Sequence, residues 1–254
     1  MRMPVLFLGH GSPMNALADN AYTQRLNALG HELPKPKAIL CISAHWQTHG
    51  TAITHMPQPR TIHDFGGFPQ SLFDVQYAAP GDAALAMRIT KLIPNLRLDE
   101  TWGLDHGTWS VLRHVYPSAD IPVLQLSMDR ALSAQQHFEV GAKLKALRDE
   151  SVLIVGSGNV VHNLRKINWD AGAEPYAWTI EFDVWVKAQL EQRNFKALCV
   201  DDWTAEAARL SNPTPEHYVP LLYVLGAADS ADELKFIYEG YEHASLSMRC
   251  VQLG

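Results

Sequence analysis

The chain has 254 residues, 47% of them hydrophobic and 19% charged, with a formal net charge of −6. This is globular composition, long enough for one large domain whose core needs no covalent staples. The acidic balance argues against a nucleic-acid or anionic-membrane partner, and no run approaches the roughly 20 apolar residues of a membrane span.

The first strand is expected at residues 5–8 (VLFL) and the second at 38–43 (AILCIS). Both are short, apolar and without clean alternation, the pattern of strands buried on two faces. Proline and glycine gather at 57–69, which reads as a loop. Residues 82–92 (DAALAMRITKL) have helical spacing and stop at Pro94, and 108–115 form a second helical stretch. A third strand is expected at 121–127. Residues 133–149 follow as a long amphipathic helix with a serine N-cap signal. A fourth strand is expected at 152–155, a loop at 171–175 and a helix at 178–192. The tail, FIYEGYEHASLSMRCVQLG, holds one or two late strands that suit an antiparallel addition. Strands alternating with helices imply βαβ units. The expectation is a single α/β domain over residues 1–254, with a mainly parallel central sheet flanked by helices.

The opening MRMPVLFLGHGSP has an apolar run too short and too soon broken for a signal peptide. Cys41, Cys199 and Cys250 are far apart and lack CxxC spacing, which speaks against a disulfide framework or a thiolate zinc site. A reducing, cytoplasmic setting fits them. The seven tryptophans read as packing residues.

Twelve histidines is a high count, and their placement is informative. Ligands of open parallel sheets bind beyond the carboxyl ends of the strands. His10 follows the first strand between two glycines, which allow a sharp turn and close approach. His45 follows the second strand. His162, in GSGNVVHN, follows the fourth. His106, in WGLDHGTW, precedes a helix. His217, in SNPTPEHYVPLLYVLG, is expected in the first turn of a helix with Pro213 or Pro215 at N1. His63, in TIHDFGGFP, lies on a glycine-rich loop. Imidazoles converging from separate elements make a metal site. A lone histidine after a strand is usually an ordinary hydrogen-bonded residue, and His31, His49, His55, His114, His137 and His243 are read that way. His114 and His137 fall in helical stretches and His31 in a surface turn. GSGN lacks GxGxxG and a Walker lysine, and Ser12 lacks GxSxG, so neither a nucleotide nor a serine nucleophile is expected.

The ordered pieces LFLGHGSPMN, SAHW, TIHDFGGFP, LDHGTW, GSGNVVHNLR and NPTPEHYVPLLYVLGA resemble the DODA-type extradiol ring-cleavage dioxygenases, the LigB-like or class III kind. The resemblance implies that His10, His45 and His217 are metal ligands, with Glu216 the runner-up to His217. His162 matches a histidine assigned both as ligand and as acid/base. His106 matches one that contacts substrate or oxygen, and the loop around His63 borders the substrate. The implied reaction opens a catechol such as L-DOPA with O2 beside the diol, giving a muconate semialdehyde. Such chemistry needs Fe(II), because zinc has no second accessible oxidation state. Zinc binds the same imidazoles more tightly and can occupy the site in protein handled in air. Two rivals rest on the metal site alone: a zinc-dependent hydrolase, and a non-catalytic metal- or peptide-binding module of the same fold. Arg60, Arg113 and Arg165 are candidate anchors for a substrate carboxylate. The sequence leaves the oligomeric state open.

Overall fold

The computed structural model describes residues 2–170 and 172–254; Ala171, in the expected 171–175 loop, lies outside the described residues. In chain order the elements are β1 (Val5–Gly9), α1 (Ala21–Glu32), β2 (Ala38–Thr48), β3 (Ala52–Thr54), α2 (Gln70–Phe73), α3 (Ala83–Thr90), β4 (Arg97–Asp99) and α4 (His106–Val115). There follow β5 (Val123–Asp129), α5 (Ala134–Leu144), β6 (Val152–Gly158), α6 (Ala177–Glu191), α7 (Glu206–Ser211) and α8 (Val219–Ala227). The chain then closes with β7 (Leu234–Tyr238), β8 (Tyr241–Glu242), β9 (Leu246–Ser247) and β10 (Cys250–Leu253).

Eight strands form one sheet in the order β4-β3-β5-β2-β6-β1-β10-β7. Its centre, β5-β2-β6-β1, is parallel. β10 and β7 add antiparallel beside β1, as the tail implied, and β8 and β9 form a separate antiparallel pair. The lack of alternation in the central strands has a direct cause, because both faces are buried. Val5 and Phe7 of β1 turn to one apolar cluster with Leu85, Val140 and Leu222. Leu6 and Leu8 turn to the other with Leu26, Leu29 and Trp109. Helices α1 and α4 therefore cover one face, and α3, α5 and α8 the other.

Several boundaries differ from the sequence reading. The long helix expected at 133–149 ends at Leu144 and continues as 3-10 turns over Lys145–Glu150. Helix α1 was not expected, and His31 lies in its last turn. Its start carries a reciprocal cap between Asn20 and Thr23, but its polar residues dilute the apolar stripe of Tyr22, Leu26 and Leu29. Helix α8 begins at Val219 with Pro220 in its first turn, instead of at Pro213 or Pro215. The Tyr218 and Val219 amides both close onto the Pro215 carbonyl, so His217 sits in the turn just before the helix.

Two features of the fold position the site. In β2 the register slips against β5 between Ile42 and Gln47, which pair with Leu126 and Met128. This bulged stretch carries His45, so the residue lies inside a longer strand and is re-aimed by the bulge instead of following a strand end. In β6, GSG is strand, with its glycines packed against the start of α8. A Cβ on Gly158 would lie 2.1 Å from the His217 carbonyl oxygen, so only glycine lets that turn approach. The Asn159 amide then donates to the same oxygen at 2.8 Å. Among the described residues no helix is long and apolar enough to cross a membrane.

Candidate metal centre

His10 extends from the end of β1, its amide continuing the ladder onto the Gly158 carbonyl. Its Nδ1 lies 3.0 Å from Ser157 Oγ, and that hydroxyl donates its own proton to the Gly107 carbonyl. Ser157 therefore accepts from His10, which puts the ring proton on Nδ1 and leaves the Nε2 lone pair free. The other two rings are backed in the same way. His45 Nδ1 lies 3.4 Å from Asp64 Oδ2, and His217 Nδ1 lies 3.3 Å from Glu216 Oε1. One donor atom from each of His10, His45 and His217 falls within 4.8 Å of the others. The Nε2 atoms of His10 and His45 face each other at 3.2 Å. Two lone pairs at that distance repel, and a cation between them removes the conflict, so the donor set fits a metal ion held by these three residues.

The remaining histidines take distinct places. His162 stacks on His217, ring centroids 3.4 Å apart and 5° from parallel, and with His217 and Glu216 it forms a second donor group. His106 opens α4, which starts there because Asp105 caps the Thr108 amide. Its ring lies 3.9 Å from that of His45, and with Asp64 and His45 it forms a third group. Glu216 also accepts from Thr214 and is grouped with His162 and His217, whereas His217 itself is the residue brought to His10 and His45. His63 is turned away from this centre. Its Nε2 donates to the Val75 carbonyl at 3.0 Å, and the ring packs on Phe65, Phe73 and Trp109. The neighbours of His63 on its loop, Asp64, Phe65, Gly66 and Phe68, do line the cleft, which has a volume of about 460 Å³.

Burial, followed by the neighbouring imidazoles, pushes His10 and His217 well below the usual histidine pKa. His45 is lowered by the same two causes. Burial also lowers His162, to about 4. The rings are thus neutral at pH 7, the state a metal ligand needs. Burial alone would raise the Asp64 carboxyl, but the His106 N–H groups and the facing imidazoles outweigh it and hold Asp64 at about 2. Asp64 accepts the His106 amide at 2.9 Å, and the His106 Nδ1 lies at the same distance. It therefore orients two imidazoles at once. Asp64→Asn is expected to weaken metal retention by about 10–100-fold, measured by chelator competition. Unchanged affinity would remove Asp64 from that role.

The same burial sets an acid limit on the metal-free chain. His162 and, in α5 beside Tyr223, His137 hold pKa values of about 4, against an ordinary 6.5. Between pH 6.5 and 4 the unfolded chain binds the extra protons, so stability is full above 6.5 and falls as the pH drops toward 4. Urea midpoints of the metal-free protein across that range should decline steadily, and a flat profile would contradict the assignment.

Asp64, Ser157 and Asn159 stood inside quoted motifs but received no role from the sequence. Their signal is a polar residue beside each histidine motif, and only the fold tells which of these partners reaches a ring. Asn159 donates to the Ser247 carbonyl and accepts from the Gly11 amide, tying the His10 loop to β9.

Fold and site together define an α/β protein with a histidine-rich metal-binding centre at the carboxyl edge of its sheet. Residues 5–249 match the family described as the catalytic LigB subunit of aromatic ring-opening dioxygenase. The chain belongs to this family of ring-opening enzymes. It is 54% identical to the 4,5-DOPA dioxygenase extradiol of Escherichia coli K12, over 100% of this chain and 95% of that one. It is 38% identical to the 4,5-DOPA dioxygenase extradiol of Portulaca grandiflora, over 94% and 92%. A crystal structure of an uncharacterized Escherichia coli K12 protein superposes with a TM-score of 0.86 at 49% identity, covering both chains fully.

Proposed function

We propose that the protein is a cytoplasmic extradiol dioxygenase that opens a catechol such as L-DOPA with O2, at the 4,5 bond beside the diol, to a muconate semialdehyde. The reading rests on the gathering of His10, His45 and His217 at one point of an apolar cleft. The cleft volume suits a single substituted ring. The relatives named for 4,5-DOPA cleavage support the substrate class.

His10, His45 and His217 would hold the metal through their Nε2 atoms. Fe(II) bound there supplies the redox partner that oxygen chemistry requires and a Lewis acid that favours the ionised diol; zinc supplies only the second. His162 enters the reaction neutral. A ring nitrogen of His162 takes a proton from a catechol hydroxyl and returns it as the ring opens. His106 is fixed by its contact with Asp64 and presents its other ring nitrogen to the substrate or to oxygen. Phe65 and Phe68 pack against the ring and exclude water from it.

The test is oxygen uptake by protein loaded anaerobically with Fe(II) and then given L-DOPA in air-saturated buffer. One O2 consumed per ring and a yellow product are expected. No uptake and no absorbance change with L-DOPA or simpler catechols would overturn the proposal.

A further inference from the structure

The part of the cleft away from the histidines has its own construction. Its wall is apolar and open, with Leu164 at 58% and Trp169 at 73% exposure. A tryptophan so exposed on the rim of a catalytic cleft has no packing reason to be there. It is held in place. The Trp169 ring packs 4.8 Å from that of His243, and the Asn168 amide donates to the His243 carbonyl at 3.1 Å. His243 and Ala244 form the turn between β8 and β9 with φ of 51° and 62°, a left-handed pair that non-glycine residues rarely adopt. Backbone held in such a conformation must be over-determined by its surroundings. Here both strands of the hairpin are fastened to α6, because Tyr241 Oη and Ser247 Oγ donate to Asp183, which is itself paired with the buried Arg249.

The charge of this end is equally definite. Beyond Trp169 the cleft runs into an adjoining cavity of about 440 Å³, bordered by Ser12, Trp169, Asp170, Tyr241, Glu242 and His243. Glu242 is fixed there by the Ser12 amide and the Asn15 side chain. Among the described residues no lysine or arginine lines either cavity. Arg60, Arg113 and Arg165, the anchors considered from sequence, are not part of the lining.

We propose that Trp169 and His243 are specificity-determining residues that receive the side chain of the catechol, and that with Asp170 and Glu242 they favour an ammonium-ended side chain over a carboxylate-ended one. This deepens the ring-opening reading and rests on it for the identity of the ring. An ammonium gains from the aromatic face and from the two carboxylates. A carboxylate in the same place meets like charge and finds no cationic partner.

Three catechols that share a two-carbon link to the ring and differ in its terminal group vary the charge: dopamine, 4-ethylcatechol and 3-(3,4-dihydroxyphenyl)propionate. Their dissociation constants for the Fe(II) protein are measured anaerobically, and kcat/KM is measured in air. Dopamine should lead and the propionate trail, with a ratio between them of about three- to tenfold. That ratio should fall toward one in Trp169→Ala with Asp170→Asn, both at exposed positions. It should also fall in His243→Gly, which suits the positive φ. A wild-type ratio of one or less, or a ratio unchanged in the variants, overturns the subsite. Binding in the expected order without ring opening of any of the three, or of L-DOPA, would sink the reaction and leave the subsite standing.

Discussion

Replacing His217 with alanine is expected to leave the protein unable to retain its metal through gel filtration. The loss of kcat/KM toward catechols should go well beyond the roughly 10–100-fold that removal of a supporting partner costs. The reason lies in the three-point geometry. His10 and His45 hold two donors face to face, and the third comes only from the turn before α8. Two imidazoles with no third ligand bind a divalent ion weakly and leave its orientation unset. Glu216→Gln is the control: it removes the carboxylate behind His217 Nδ1 but leaves the ring, so it should cost far less. Metal content by elemental analysis and kcat/KM on the same preparations decide the matter. Full metal retention by His217→Ala, or equal losses in both variants, would place the third ligand elsewhere.

The second large effect concerns His162. His162→Ala should keep the metal and lower kcat by a factor of about 10²–10⁴, the range that positioned proton transfer contributes. The ring lies parallel to His217, and burial lowers its pKa to about 4, so it is neutral at physiological pH with an unprotonated ring nitrogen. Its removal should also flatten the acid side of the pH–rate profile, a change that mere loss of stacking would not produce. Loss of metal along with turnover would instead assign His162 to the ligand set, which the grouping with Glu216 and His217 makes a concrete alternative.

Much of this was legible in the sequence, and the reasons are specific. The four central strands were readable because burial on both faces leaves uninterrupted apolar runs, and a run that stops on a histidine marks a strand's carboxyl end. His10 is the clearest case. His45 was found for a partly different cause, since its strand continues and a register slip turns the side chain inward. A slip of this kind depends on the neighbouring strand, β5, and leaves no local trace. Helix α1 escaped because its buried residues are few among polar ones. β3 and β4 have three residues each, too few for a period to show. His63 and Asp64 illustrate the limit at the site. Residue type favoured the histidine, but the fold turns its ring to the Val75 carbonyl and gives the orienting work to the aspartate beside it. Nothing local in the sequence distinguishes His243 from an ordinary residue; its positive φ and its contact with a tryptophan 74 positions away emerge only from the fold.

The three imidazoles stand at positions 10, 45 and 217, just after the first strand, within the second strand and in the turn before the last helix. An ion gripped by all three would clasp residues 10 and 45 to residue 217, closing loops that the unfolded polymer closes only at an entropic cost. The holoprotein should therefore resist unravelling in proportion to free metal, gaining about 2.7 kcal/mol at a hundredfold excess over the dissociation constant. Metal supply and the lifetime of the folded chain are thereby coupled.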